Sequence, residues 1–255
     1  MAIVILAFPF LFFVLTFGLV LWRAGEPCDC LQNTEAGDPV QSLYTASARD
    51  TLLQSTGEDP YGAIDAFLAT SDVGVEGHVA EFPKRSACLA AYAEKGGDVM
   101  EIGFNAGHSA LIWLQGNPDL NLTSFDLCSH SYTQPTAEYV SKLFPGRFSL
   151  VCGDSTETVP AFAEANPGRA FDVIHVDGGH FEDMPLKDIR ASFALSKPST
   201  SIIVDDSCYV NTEGWCGDTV DEAIKTVIDS GEATLHEDLP SASCNWGNTV
   251  LRMAD

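Results

Sequence analysis

From about residue 98 onward, short apolar runs alternate with polar segments of helix length. The runs are Val99–Ile102, Leu122–Leu127, Phe148–Val151, Asp172–Val176, Ser201–Val204, Ala233–Leu235 and Thr249–Met253. Helix-length or turn-rich segments separate the first five, so the pattern predicts an α/β domain built on an open, doubly wound, mostly parallel sheet of seven strands. In such a sheet ligands collect beyond the carboxyl ends of the strands, where the strand order reverses. The residues at those ends therefore carry the most weight.

Upstream, Asp38-Pro39 and Asp59-Pro60 each set a capping carboxylate before a proline at the first helical position. Two helices are expected, about Pro39 to Gln54 and Pro60 to Thr70, covering or flanking the main domain. A third, Lys84 to Lys95, is closed by Gly96-Gly97 and delivers the chain to the first strand. Ala2–Trp22 is uncharged and almost wholly apolar; as a helix it would span ~31 Å, close to the hydrocarbon thickness of a bilayer. No Lys or Arg precedes it, and Trp22-Arg23-Ala24 offers no small-x-small cleavage site, so it reads as an uncleaved transmembrane anchor. The expected organisation is an anchor over 1–23, a Gly/Pro/Asp/Cys-rich stem over 24–38, a helical segment over 39–82 and a catalytic domain over 83–255.

Composition narrows the partners. The 255 residues carry 13 Lys plus Arg against 36 Asp plus Glu, a formal charge of −23. Such a chain is repelled by phosphate backbones and anionic membrane surfaces, so nucleic acid is excluded as a partner. Eight cysteines and the sequon Asn121-Leu-Thr123 lean toward a lumenal domain. On the expected sheet, Cys128 and Cys152 lie near the carboxyl ends of neighbouring strands, and Cys208 and Cys216 share one loop, giving two geometrically feasible disulfides.

The most informative stretch is Val99-Met-Glu-Ile-Gly-Phe-Asn-Ala-Gly-His-Ser-Ala110, a buried strand turning sharply through Gly103 and Gly107 into a helix. A dinucleotide fingerprint needs a glycine where Asn105 stands, so a pyrophosphate cradle is not supported. The pattern E-x-G-x-x-x-G instead resembles motif I of the class I S-adenosylmethionine-dependent methyltransferases, which have a Rossmann-like fold. The resemblance implies that Glu101, Gly103, Asn105 and Gly107 serve the methyl donor. Asp126 ends the second strand roughly twenty residues beyond the turn, where an acidic side chain can accept both hydroxyls of a ribose. In the family resembled, the position of Asp154, after the third strand, faces the adenine amino group.

The fourth and fifth strands end in Asp177-Gly-Gly-His180 and Asp205-Asp206. As neighbours they would bring Asp177, Asp205 and Asp206 to one rim, and three carboxylates that close repel one another unless a cation neutralises them. Oxygen-only ligation with open positions suits Mg²⁺ or Mn²⁺. Asp-Gly-Gly-His followed by Asp-Asp resembles the metal-dependent O-methyltransferases that modify sugar hydroxyls of natural products, over about Pro83 to Met253. That resemblance implies a metal at Asp177, Asp205 and Asp206 and a general base at His180. Ser196-Lys-Pro-Ser-Thr200 departs from the Pro-Gly-Gly turn common in those relatives. His175, inside its strand, reads as a packed or supporting residue. No G-x-S-x-G or G-x-x-x-x-G-K-[ST] motif occurs, which removes the common hydrolase and nucleoside-triphosphatase readings. The expected activity is divalent-metal-assisted O-methylation of a hydroxylated small molecule or glycan. The alternatives are metal-independent methyl transfer and a catalytically silent cofactor-binding module.

Overall fold

The computed structural model of the chain describes residues 46–70, 75, 77–211 and 216–254. The expected anchor and stem lie outside the described residues. Among those described, no helix is long and apolar enough to cross a membrane. Seven strands form one sheet: β1 Asp98–Ile102, β2 Asn121–Asp126, β3 Phe148–Cys152, β4 Val173–Val176, β5 Ser201–Asp205, β6 Ala233–Leu235 and β7 Asn248–Met253. Their order is β3-β2-β1-β4-β5-β7-β6, with β1 to β5 parallel and β7 antiparallel to both β5 and β6. Each strand lies within a residue or so of its apolar run. The order reverses between β1 and β4, which fixes the ligand crevice at their carboxyl ends.

Helices cover both faces: α1 Ala46–Gln54, α2 Pro60–Leu68, α3 Pro83–Ala93, α4 His108–Gly116, α5 Thr133–Leu143, α6 Ser155–Ala165, α7 Met184–Phe193 and α8 Asp218–Asp229. Asp59 caps α2 as its sequence suggests, accepting the Gly62 N–H at 3.0 Å with Pro60 in the first turn. The period-2 alternation of the strands sorts side chains between two cores. Met100, Ile102, Ile174, Val176, Ile202 and Val204 pack with Ile189, Val220 and Ile224 of α7 and α8. Val99, Val173 and Ile203 face the other way, onto a core shared with Leu52, Ile64 and Phe67 of α1 and α2 and Leu89 and Trp113 of α3 and α4. The N-terminal helices thus share a core with the sheet.

On that second face the alternation also points Glu101, His175 and Asp205 inward, from three adjacent strands. Register pairs Glu101 with His175 across β1 and β4, and with Ser124 across β1 and β2. All four are buried. A row of polar groups therefore crosses the sheet beneath α3 and α4, and it ends at the crevice.

Among the described residues, three disulfides are present. Cys128–Cys152 and Cys208–Cys216 are the two anticipated pairs. Cys88–Cys244, which joins α3 to the 3₁₀ turn Ala242–Asn245 across a sequence separation of 156, was not anticipated. Closing so long a loop restricts the unfolded chain strongly, and a native disulfide is worth about 2–5 kcal/mol. Cys88→Ala/Cys244→Ala should lower the melting midpoint by roughly 5–15 °C, measured by calorimetry under non-reducing conditions. Asn121 of the sequon is an exposed residue that begins β2, opposite Asp98 of β1.

Candidate active site

The turn after β1 forms one wall of the crevice. Gly103 has φ +97°, and a Cβ there would collide with the carbonyl of Asp177. Only glycine lets the exits of β1 and β4 lie against each other. Gly107 (φ +89°) precedes the first residue of α4. Asn105, also left-handed at φ +52°, accepts the Tyr132 hydroxyl at 2.7 Å and donates its amide to the Gly77 carbonyl at 3.0 Å.

Asp126 braces this turn. Its Oδ2 accepts the N–H groups of Phe104 (3.0 Å) and Asn105 (2.8 Å), and its Oδ1 accepts that of Cys128 (2.7 Å). Three donors use three of roughly four acceptor positions on a carboxylate, leaving about one for a ligand hydroxyl. Asp154 stands at the start of α6, exposed, where its Oδ1 accepts the Thr156 N–H at 2.8 Å and hydroxyl at 2.7 Å. These bonds, the hydroxyl's first, hold its carboxyl below the ordinary value. Glu101 has no exposed surface to offer a ligand. It accepts the Ser124 hydroxyl at 2.7 Å and lies 3.6 Å from His175 Nδ1.

The anticipated convergence of acidic groups at β4 and β5 is present. One ligand atom each from Asp177, His180 and Asp206 lie within 4.8 Å of one another, and the same holds for His175, Asp177 and Asp205. His180 Nε2 is 3.2 Å from Asp206 Oδ2 and 3.8 Å from Asp177 Oδ1. Asp206 adopts a left-handed φ of +56°, a conformation that costs about 1–3 kcal/mol outside glycine and recurs at functional sites.

The residue missed by sequence reading is Arg85. It is buried on α3, and its Nη1 pairs with Asp206 Oδ1 and, at 3.1 Å, with Asp205 Oδ1. Its signal was a charge at helical spacing on the face that buries Cys88, Leu89 and Tyr92. Part of the carboxylate repulsion is therefore relieved by the protein itself. Asp205 is the most committed of the three carboxylates. Its Oδ1 also accepts the Asp206 N–H at 2.8 Å, and its Oδ2 lies 3.7 Å from His175 Nε2.

These contacts set the protonation states. Burial opposes charge on His175, but Asp205 and Glu101 outweigh it and push the imidazole up to about 10. At 3.6 and 3.7 Å the contacts are long for hydrogen bonds, so the effect is one of charge. Burial would raise Asp205, yet His175 and Arg85 hold it below its ordinary value. Enclosure and the Asp205 charge push Asp177 up to about 7. The nearby Asp177 carboxylate, against burial and with help from Asp206 and Asp205, raises His180.

The folded value of Asp177 lies above its ordinary 3.8, so its stabilisation is complete only below about pH 4 and is lost as pH rises through about 7. Asp188, buried and raised to about 6, acts in the same sense at lower pH. In chelator, the melting midpoint should fall between pH 5 and 8, and Asp177→Asn should flatten the upper part of that fall. An unchanged slope would contradict the assignment.

A family described as a methyltransferase domain matches residues 100–207. Among solved structures, the chain is similar to an O-methyltransferase from Bacillus cereus in complex with SAH, with a TM-score of 0.52 and 15% identity over 83% of this chain and 92% of that one. It is also similar to the O-methyltransferase of tomaymycin synthesis from Streptomyces achromogenes in complex with SAM, with a TM-score of 0.51 and 15% identity over 84% and 92%. A third similar structure is a TDP-rhamnose 3′-O-methyltransferase of calicheamicin biosynthesis, with a TM-score of 0.51 and 17% identity over 82% and 94%. At these identities the likeness establishes the fold. No curated protein matches the chain by sequence.

Proposed function

We propose that this chain is a class I S-adenosylmethionine-dependent methyltransferase, a reading supported by the matched domain and the shared fold, and that it methylates a hydroxyl of a small molecule or glycan with a divalent cation, Mg²⁺ or Mn²⁺, at its carboxylate rim. The observation that carries this reading is the meeting of Asp177, Asp206 and His180 beside the glycine turn, at the point where the strand order reverses. The donor set fits a hard cation. Asp177 is raised by burial first and by the neighbouring Asp205 and Asp206 charges second, and carboxylate oxygens with one imidazole nearby suit Mg²⁺ or Mn²⁺. Asp177 and Asp206 would be the principal ligands, with Asp205 as the third, braced from behind by Arg85 and His175.

Asp126 and the Gly103–Gly107 turn would hold the donor's ribose side, with Asp154 at the adenine edge. A sulfonium methyl is already electrophilic, so the chain's task is to align an acceptor oxygen and remove its proton. A divalent ion, when bound, lowers the pKa of that hydroxyl. His180, whose Nε2 is 3.2 Å from Asp206 Oδ2, would take the proton at that nitrogen. It must be neutral to do so, and neutralising Asp177 and Asp206 removes the charge that raises it. Three disulfides support an oxidising, lumenal or extracellular setting.

Arg85 favours a second reading in which its guanidinium alone neutralises the pair and no metal is used. The purified protein, incubated with labelled methyl donor and a panel of hydroxylated acceptors that includes sugars, separates these readings. Turnover lost in chelator and restored by Mg²⁺ or Mn²⁺ supports the metal; turnover unchanged by chelator favours Arg85. Donor binding by calorimetry without transfer to any acceptor would point to a silent module.

A further inference from the structure

A second group of metal-ligating side chains lies outside the carboxylate rim. Asp65 comes from α2, His78 from the residue before the 3₁₀ turn Val79–Glu81, and His108 from the first position of α4, directly after Gly107. His108 Nε2 is 2.9 Å from Asp65 Oδ1. The imidazoles of His78 and His108 stack with centroids 3.8 Å apart and planes 7° from parallel. One ligand atom from each of the three residues lies within 4.8 Å of the others.

A His–Asp pair and a ring stack can be ordinary packing. Packing leaves one feature unexplained. Nδ1 of His78 and Nδ1 of His108 are both buried with no hydrogen-bond partner, and His108 as a whole is only 2% exposed. An unpaired buried polar atom is costly, so two of them in contacting rings call for a partner, and each ring has one nitrogen to give an ion. Two imidazoles and one carboxylate are a borderline-soft set that suits Zn²⁺, unlike the carboxylate rim. Tetrahedral ligands held about 2.0–2.2 Å from zinc stand roughly 3.4 Å apart, so the His108 Nε2–Asp65 Oδ1 contact at 2.9 Å would open slightly and the rings would tilt to complete the site. Glu81, 3.6 Å from His78 Nε2, is placed as the carboxylate that commonly orients a zinc-bound histidine.

We infer that Asp65, His78 and His108 form a zinc site that fastens the N-terminal helical layer to the glycine turn. The amide of Asn105 on the Gly77 carbonyl already joins the same two parts of the chain, so the ion would rigidify an existing contact. The site stands or falls independently of the methyl-transfer reading.

The full chain carrying Asp177→Asn/Asp206→Asn, which disarms the carboxylate rim, is stripped with chelator and titrated with Zn²⁺ or Co²⁺. The expected result is about one zinc per chain by atomic emission, together with visible Co²⁺ absorption of the tetrahedral type. Asp65→Asn and His78→Gln, both at sites with exposed side-chain surface, should each weaken zinc binding at least about tenfold and abolish the Co²⁺ bands, with the fold verified by circular dichroism. Absence of bound zinc in the stripped and reloaded chain, or unchanged Co²⁺ spectra in both variants, would overturn the inference.

Discussion

Asp177→Asn/Asp206→Asn is expected to lower methyl transfer by about 10³-fold or more while changing donor affinity only a few-fold. Stabilising charge at a developing alkoxide is worth several kcal/mol, and each 1.36 kcal/mol is tenfold in rate. The donor side should be spared, because Asp126 and the glycine turn are held by their own backbone hydrogen bonds. The same variant removes the main cause of the raised His180, so the pH profile of any residual activity should shift to lower pH. Comparing kcat, metal stimulation and calorimetric donor binding with the parent chain checks all three points. Full activity in the variant would eliminate the metal and leave the Arg85 reading.

Arg85→Leu is expected to destabilise the fold by about 3–5 kcal/mol, or a melting shift of about 10 °C. Asp205 is 3% exposed and Asp206 8%, and removing one partner of a buried ion pair leaves charges that water cannot reach. The sign with pH follows from Asp205, whose folded value is depressed. Its stabilisation is full above the ordinary carboxylate value of 3.8 and is lost only as pH falls below it, through the lower folded value, so the deficit of Arg85→Leu should hold from neutrality to about pH 4 and shrink below that. Millimolar Mn²⁺ should restore part of the loss by neutralising the same pair. Thermal melts at pH 7 and pH 3 with and without the ion test this; equal deficits at those two pH values would contradict it.

Strand ends were legible in the sequence because strands buried on both faces read as mostly apolar runs, so a terminal Asp stands out at Asp126, Asp177 and Asp205. Their meeting was legible because a doubly wound order makes β4 and β5 neighbours. Arg85 and the Cys88–Cys244 link were not, because both depend on how α3 sits across the sheet, and helical periodicity sets a face without naming what it meets. His175 was recognised as a supporting residue, but its pairing with Glu101 and Asp205 required strand register. Asp154 shows a local competition. The same carboxylate that can meet a ligand also caps α6, and the sequence does not reveal how its oxygens are shared.

The Cys128–Cys152 bridge lies between Asp126 and Asp154 in the chain and joins the strand ends that carry them. Protein made in a reducing host would reach the bench with two loose thiols at the proposed adenosine edge, and a failed acceptor screen on such material would report on its manufacture. Oxidative refolding or periplasmic expression belongs before any substrate survey.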